Sequence, residues 1–391
     1  MREITRLLRP SGEASFFLFG PRGTGKSTLM KSLYADALWI DFLNPKTARI
    51  YEARPETLYD FLEANQSSKL VVIDEVQKVP AVLSVVHDLI EQHRGWQFIL
   101  TGSNARKIKR CGADLLAGRA LNYIMHPFMA SELRTAFNLQ QALQFGLLPL
   151  IYSATNKELA LQAYINLYLD AEIKMEGLTR NIGDFSRFLE AISFSHGDVV
   201  NVSNIARECG VNRKTTESYI NILEDLLLIH KLPVFARKAK RELINNSKIY
   251  FFDAGIYNAL RPRGILDQPE EIDGFGLEGL VLQHLLAWRD YSETKSQISF
   301  WRTRSKVEVD FIIYGENEFI ALEVKNTKNV NLNDVKGLKS FLEDYPMAQA
   351  ALLYRGKERI MYRGVLCIPV EDFLLNIFPN RPLSAAIDIR I

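Results

Sequence analysis

The stretch Gly20-Pro21-Arg22-Gly23-Thr24-Gly25-Lys26-Ser27, followed by Thr28, decides how the first part of the chain folds. It satisfies the pattern G-x-x-x-x-G-K-[ST], in which glycines let backbone N–H groups approach phosphate oxygens closely. A strand is predicted over residues 15–19 and an apolar helix from about Lys26, so the positive end of a helix dipole also faces the loop. This context disfavours the alternative of a chance glycine-rich turn. We predict that Gly20 to Thr28 bind the phosphates of a nucleotide, with Lys26 reaching the β- and γ-phosphates and Ser27 ligating Mg²⁺.

Two carboxylates, Asp74 and Glu75, follow the continuously apolar run at residues 70–73, which is typical of a buried parallel strand. A carboxylate at the end of such a strand can hold Mg²⁺ through water, and its neighbour can act as the general base toward the attacking water. We assign the metal role to Asp74 and the base to Glu75. A surface acidic pair is the alternative, which the preceding phosphate loop disfavours. The two motifs together predict that the chain binds and hydrolyses ATP.

Two further segments are candidates for the same site. The strand predicted at residues 97–100 should lie beside the strand that ends at Asp74, and its end would present Ser103 and Asn104 to the γ-phosphate. A plain turn is the alternative, because Gly, Ser and Asn are turn residues. Arg119 is a candidate arginine finger that would stabilise charge during phosphoryl transfer. A solvated surface arginine is the alternative.

Length and composition limit what the whole chain can be. Its 391 residues exceed what one compact core holds, and its 47% hydrophobic and 24% charged residues are ordinary for a globular protein. The net charge of +2 does not indicate global nucleic-acid binding, so any basic surface must be local. The three cysteines form no metal or disulfide pattern, and neither a membrane-length apolar stretch nor a signal peptide is recognisable. We therefore expect a cytoplasmic protein with no membrane partner.

Hydrophobic patterning predicts three domains. Residues 1–150 alternate short apolar strands with helices, which indicates an α/β P-loop ATPase domain with a parallel sheet. Residues 151–265 are mainly helical and end in a strand pair. Residues 266–391 begin with an apolar helix predicted at 277–288 and continue as alternating strands and helices, a second α/β domain.

The middle segment predicts a helix, a turn and a second helix. Ser203 is the expected cap of the first helix, and Asn212 the expected cap of the second. The second helix carries polar and basic residues in its first turns and an apolar face behind them, as a recognition helix does. A strand pair with a basic tip at residues 237–241 would form a wing that meets phosphates, which completes a winged helix. The alternative is a protein-interaction or lid module with a solvated basic loop.

The last segment contains a pattern of carboxylates and a lysine. Asp310 lies in one predicted strand, and Glu323 and Lys325 lie two residues apart on the next, so they share a face. Asp310 and Glu323 could hold a divalent cation, and Lys325 could orient or deprotonate water. Glu278, on the preceding helix, could add a third carboxylate. The alternative is an exposed strand face with paired charges, since Glu-x-Lys on a strand is frequent.

The order and spacing of these segments resemble a known family. The matching stretches include FFLFGPRGTGKSTLM, LVVIDEVQKVP, ILTGSNARKIKR, KIYFFDAGIYNAL and VEVDFII…ALEVKNT, within about residues 14–355. They are similar to bacterial and archaeal AAA-type P-loop ATPases whose C-terminal domain of uncharacterised function has a PD-(D/E)xK restriction-endonuclease-like core. The resemblance implies ATP and Mg²⁺ at the phosphate loop, a charge-stabilising role for Arg119, and Mg²⁺ or Mn²⁺ at Asp310 and Glu323 with Lys325 nearby.

Two functions follow as hypotheses. In the first, an ATPase is coupled to nucleic acid, most simply DNA, through the winged helix and the C-terminal domain, which would bind and cut it as a metal-dependent nuclease. In the second, a nucleotide-dependent switch or scaffold binds a protein partner, and the nuclease-like domain docks without chemistry. Whether Arg119 acts within one chain or across a homo-oligomer stays open.

Overall fold

The structure, a computed structural model, describes residues 4–10, 12, 14–103, 116, 118–169, 182–236, 247–265 and 267–388. These residues fall into two compact units. The first unit comprises Leu8–His126 and Asp225–Leu228. The second comprises Pro127–Glu224 and residues 229–388, together with residues 4–7. None of the described helices combines the length and the apolar character needed to cross a membrane.

The first unit is built on a five-stranded parallel sheet in the order β2-β3-β4-β1-β5. Its strands are β1 Ser15–Phe19, β2 Leu38–Asp41, β3 Leu70–Asp74, β4 Gln97–Gly102 and β5 Ala120–Ile124. Its helices are α1 Lys26–Leu33, α2 Pro45–Ala53, α3 Thr57–Ala64 and α4 Val82–Glu91. This arrangement confirms the predicted α/β fold with a parallel sheet.

The central strands of this sheet are covered on both faces. Val71, Val72 and Ile73 of β3 are fully buried, as are Phe98, Ile99 and Leu100 of β4. Such continuous burial is why these strands lack the polar alternation of a one-sided sheet. The prediction that β4 lies beside the strand ending at Asp74 is confirmed, since the two strands pair from Leu70–Gln97 to Ile73–Leu100.

The second unit begins with helices and a two-stranded antiparallel sheet. The helices are α5 Ala130–Leu133, α6 Leu139–Phe145, α7 Pro149–Tyr152, α8 Lys157–Ala163, a π-helical turn Tyr164–Leu169, α9 Ile182–Ser193, α10 Val202–Cys209, α11 Arg213–Asp225, α12 Ala254–Leu260 and α13 Pro269–Tyr291. The strands are β6 Ile229–Leu232 and β7 Lys248–Phe251, which pair antiparallel. The predicted basic tip at residues 237–241 lies outside the described residues.

A mixed six-stranded sheet in the order β12-β13-β11-β10-β9-β8 completes the second unit. Its strands are β8 Gln297–Arg302, β9 Glu308–Tyr314, β10 Phe319–Lys325, β11 Gln349–Tyr354, β12 Ile360–Tyr362 and β13 Val365–Pro369. The remaining helices are α14 Lys336–Asp344, α15 Val370–Leu375 and α16 Ser384–Ile387. A buried cluster that includes Trp301, Ile312 and Phe341 packs on this sheet. Asp310 lies in β9, and Glu323 and Lys325 lie in β10, as predicted, whereas α13 extends well beyond residues 277–288.

One predicted helix cap is wrong. Ser203 lies inside α10, and the side chain of Asn201 accepts a hydrogen bond from the backbone N–H of Asn204 at 3.1 Å. Both are good capping residues, so position alone decided which one caps. The second predicted cap is confirmed, because Asn212 Oδ1 accepts from the backbone N–H of Thr215 at 2.9 Å.

Substitution of Asn201 and of Ser203 tests which of the two residues caps α10. Asn201→Ala should lower the free energy of unfolding by about 1 kcal/mol, because an exposed helix end loses its side-chain cap. Ser203→Ala is the matched control and should have almost no effect, since alanine is favoured inside a helix. Urea unfolding followed by circular dichroism measures both, and an equal loss for the two variants would contradict the assignment.

Candidate nucleotide site and buried carboxylate cluster

The predicted phosphate loop connects β1 to α1 and is shaped by its glycines. A Cβ atom added at Gly20 would lie 2.5 Å from the backbone oxygen of Met125, too close for any side chain. Gly25, the residue before α1, has a φ of 89°, in the left-handed region that favours glycine. The loop therefore holds a conformation that other residues would not allow.

The lysine of the loop is buried and held by the loop backbone. Lys26 is 5% exposed, and its Nζ donates to the backbone oxygens of Gly20 at 2.8 Å and Pro21 at 3.2 Å. Thr24 Oγ1 donates to the same Pro21 oxygen at 2.8 Å. An ammonium fixed at the positive end of a helix makes a strongly anion-attracting site. Ser27 lies in the first turn of α1, while Arg22 and Thr28 are exposed.

Asp74 and Glu75 lie at the carboxyl end of β3. Asp74 is 4% exposed and accepts a hydrogen bond from the hydroxyl of Thr101, the residue near the end of β4. The same hydroxyl oxygen accepts from the backbone N–H of Glu75 at 3.2 Å. Glu75 adopts a left-handed conformation with a φ of 59°, an uncommon backbone state that is found at functional sites. Thr101 thus fixes both carboxylate residues, a role that the sequence did not indicate.

Gln77 is a second residue that sequence reasoning missed. Its side chain is buried, and its Nε2 donates to the carboxylate of Glu75 and to Ser103 Oγ, the latter at 3.0 Å. Its Oε1 is also buried and accepts no hydrogen bond from the residues that the structure describes. Gln77 therefore joins the candidate general base to the candidate phosphate sensor. The other proposed sensor, Asn104, lies outside the described residues.

Arg119 lies at the amino ends of the strands, on the opposite side of the sheet from the phosphate loop. The pairing of β1 with β5 aligns Ser15 with Ala120, so Arg119 lies where β1 begins, whereas the phosphate loop follows the end of β1. At about 3.3 Å per strand residue this places it roughly 15–20 Å from the loop. Arg119 also forms an ion pair with Glu91 of α4. A catalytic role at the phosphate loop of its own chain is therefore not favoured, and a role toward a neighbouring copy stays a prediction.

The three carboxylates predicted in the second unit do come together. Asp310 of β9 and Glu323 of β10 are buried, and the side chain of Glu278 of α13 is 12% exposed. Asp310 lies close enough to the other two to raise the pKa of each. Burial and then the neighbouring Asp310 raise the pKa of Glu278 to about 7 and the pKa of Glu323 to about 8. Lys325 donates to Glu323 Oε1 at 2.5 Å.

A lysine that the sequence did not single out lies among these carboxylates. Lys248 of β7 is 2% exposed, and its Nζ lies 3.0 Å from Glu278 Oε1 and 3.6 Å from Asp310 Oδ1. It also forms an ion pair with Glu308. Burial by itself lowers the pKa of Lys248, but the surrounding negative charges, led by Glu278, raise it well above its ordinary value. Lys248 is therefore a buried, charged ammonium.

Among the residues that the structure describes, no group of three or more His, Cys, Asp or Glu side chains is arranged to hold a metal ion. The proposed set of Glu278, Asp310 and Glu323 is thus close together without forming such a group. The first unit offers a better fit for a cation, since the hydroxyl of Ser27 and the carboxylate of Asp74 are oxygen donors of the kind that Mg²⁺ prefers beside a bound phosphate. There, the glycine-shaped loop and the buried Lys26 also fit a polyphosphate.

Three protein-family models each match a different part of the chain. Residues 13–134 match the model of an AAA domain. The match supports an AAA-type ATPase in this part of the chain. Residues 136–267 and 273–373 match two domains of unknown function, DUF8612 and DUF4143.

Relatives with similar sequences span nearly the whole chain. An uncharacterized protein of Haemophilus influenzae is 23% identical over 390 residues, which covers 91% of this chain and 93% of the relative. An uncharacterized protein of Methanocaldococcus jannaschii is 22% identical over 361 residues, covering 84% and 78%.

Among solved structures, AMPPCP-bound DnaA from Aquifex aeolicus is 14% identical and covers 54% of this chain and 82% of its own, with a TM-score of 0.23. A protein of Vibrio cholerae is 12% identical and covers 93% and 96%, with a TM-score of 0.22. Scores this low carry no conclusion about function.

The contacts of Gln77 lead to a prediction for ATP turnover. Gln77→Leu keeps the volume of the side chain but removes its hydrogen bonds to Glu75 and Ser103. The kcat for ATP hydrolysis should fall about 10- to 100-fold, because a general base must be held in place, while KM stays within about threefold. Gln92→Leu, on an exposed face of the same unit, is the control and should leave both constants unchanged. In a Glu75→Gln background, Gln77→Leu should have no further effect; an additive loss would contradict this role.

Proposed function

We propose that the first unit binds ATP with Mg²⁺ and hydrolyses it. The observation that carries this proposal is the strand order β3-β4-β1, which brings three strand ends to one edge of a parallel sheet. The phosphate loop follows β1, Asp74 ends β3 and Glu75 comes directly after it, and Ser103 follows β4. In open α/β sheets, ligands bind at the carboxyl ends of the strands. The match of residues 13–134 to an AAA domain supports the same function.

Each residue at this edge has a role in the proposed reaction. The backbone N–H groups of the loop and the ammonium of Lys26 bind the β- and γ-phosphates. Ser27 and, through water, Asp74 would hold Mg²⁺, which when bound neutralises charge that develops on the phosphates. Glu75 accepts a proton from the water whose oxygen attacks the γ-phosphorus, as the bond to the β–γ bridging oxygen breaks. Ser103, linked to Glu75 through Gln77, responds to the presence of the γ-phosphate.

Substitution of the loop lysine tests this proposal. Lys26→Ala should abolish measurable ATP hydrolysis and weaken ATP binding, because the phosphates lose their buried counter-charge. Lys31→Ala, on the exposed side of the same helix, is the matched control and should behave as the wild type. Phosphate release and fluorescent-nucleotide titration measure the two effects. Undiminished turnover by Lys26→Ala would refute the assignment of the site.

Nucleic-acid binding by the second unit is a second proposal. The observation in its favour is a helix–turn–helix: α10 and α11 are joined through Gly210, in a left-handed conformation, and Asn212, which caps α11. Arg213 and Lys214 are exposed in the first turn of α11, while Ile220 and Leu223 face inward. The antiparallel pair β6–β7 follows, in the place of a wing. Exposed cations at the start of the second helix can contact phosphates and bases.

Salt dependence distinguishes this proposal from a protein-binding scaffold. The wild type should bind a short fluorescent DNA duplex, with affinity that falls as salt rises. Lys214→Ala should weaken binding about threefold or more and reduce the magnitude of the log–log salt slope by about one, because one phosphate contact is lost. Lys336→Ala, an exposed lysine at the start of α14, is the control. Absence of any salt-dependent anisotropy change would favour the protein-binding alternative.

A further inference from the structure

The carboxylate cluster of the second unit is formed by the buried Asp310 and Glu323 and the partly exposed Glu278 and Glu308, and it contains its own cation. Lys248 Nζ lies 3.0 Å from Glu278 Oε1 and 3.6 Å from Asp310 Oδ1, and it also pairs with Glu308. Its side chain is 2% exposed, so these carboxylates replace the water that an ammonium would otherwise bind. Lys248 therefore lies where an ion shared by Glu278 and Asp310 would have to bind.

The carboxylate oxygens facing this cluster are largely committed to other partners. Glu278 Oε1 accepts from Lys248 and from the hydroxyl of Tyr250. Asp310 Oδ2 accepts from the backbone N–H of Val324 at 2.8 Å. Glu323 Oε1 accepts from Lys325, and its Oε2 is the one buried oxygen of the cluster without a hydrogen-bond partner among the described residues. Among the described residues, the hydrogen bonds of Glu278 both fall on Oε1, so Glu278 Oε2 and Glu323 Oε2 are the cluster oxygens outside these hydrogen bonds and ion pairs. Because Mg²⁺ can bind through one or two carboxylates and water, the position of Lys248, and not the number of oxygens, is what opposes a metal ion here.

The charges of the cluster lead to the same conclusion. Its four carboxylates face three cations: Lys248, Lys325, and Arg302, whose Nε lies 3.2 Å from Glu308 Oε2. A divalent ion within reach of Glu278 and Asp310 would be repelled at close range by the ammonium of Lys248. That ammonium is covalently attached to β7 and cannot leave the protein. A metal ion shared by Glu278 and Asp310 could enter only if Lys248 moved and its hydrogen bond to Glu278 broke.

We propose that Lys248 is the resident cation of this cluster and excludes divalent metal ions from it. The set of Glu278, Asp310 and Glu323 is then an ion-paired structural site that joins β7 to α13, β9 and β10. It does not hold the metal that the resemblance to restriction endonucleases implies. This inference is independent of ATP hydrolysis, since all of its residues lie in the second unit.

Mn²⁺ binding tests the proposal directly. Nucleotide-free full-length protein is titrated with Mn²⁺ at about pH 8, and free Mn²⁺ is measured by electron paramagnetic resonance. Wild type and Asp310→Asn should bind the same amount, because the cluster contributes no site. Lys248→Met should gain about one further equivalent, since four carboxylates then face only two cations. Adding Asp310→Asn to Lys248→Met should remove that gain.

The controls separate the cluster from background binding. Lys339→Met removes an exposed ammonium of the same unit and should match the wild type. Any Mn²⁺ bound in the first unit is common to all variants and cancels in the comparison. The proposal is overturned if the wild type binds an ion that Asp310→Asn abolishes, a comparison that stands even if Lys248→Met does not fold. It is also overturned if Lys248→Met, folded by circular dichroism, binds no more Mn²⁺ than the wild type.

Discussion

Parallel hydrogen bonding of β1 and β3 to the two sides of β4 is the constraint on which the nucleotide site depends. Phe19 pairs with Gly102 and Ile73 pairs with Leu100, so three chain segments leave the sheet at the same edge. The central strands are packed on both faces, so a shift in register would misplace their side chains against close-packed neighbours. The backbone thus places Lys26, Glu75 and Ser103 on one edge before any of their side chains interact. Thr101 and Gln77 then join the ends of β3 and β4 through hydrogen bonds.

The sequence could predict features that local patterns determine. Continuous apolar runs located β3 and β4, and the glycine spacing located the phosphate loop. Features that depend on which strands become neighbours were missed. Gln77 follows the acidic pair as an ordinary polar residue, and its role exists only because the end of β4 brings Ser103 within 3.0 Å of it. The prediction of the cap of α10 failed for a local reason, because Asn201 and Ser203 lie two residues apart and both are good capping residues.

Arg119 illustrates a second limit of prediction from the sequence. Its position in the sequence, after a loop and before a strand, is compatible with an arginine finger. The register of β5 against β1 places it where the strands begin, and its side chain forms an exposed ion pair with Glu91 there. A chemical role for this guanidinium at a phosphate would therefore require the phosphate loop of a second copy. Residue type and sequence order cannot supply that information, since both are unchanged whether the chain acts alone or in an assembly.

The carboxylate cluster shows why a short acidic motif does not by itself identify a metal site. Asp310, Glu323 and Lys325 occupy the strands and the face that the pattern predicts, and Glu278 joins them as expected. Such a concentration of buried negative charge is costly, and this cost raises the pKa of both Glu278 and Glu323. A divalent ion or an ammonium can offset it, and the carboxylates alone do not distinguish the two. The distinguishing residue is Lys248, which comes from β7 and reaches the cluster only through tertiary packing. The cation that a protein supplies from elsewhere in its chain is therefore what separates an ion-paired site from a metal site of the same motif.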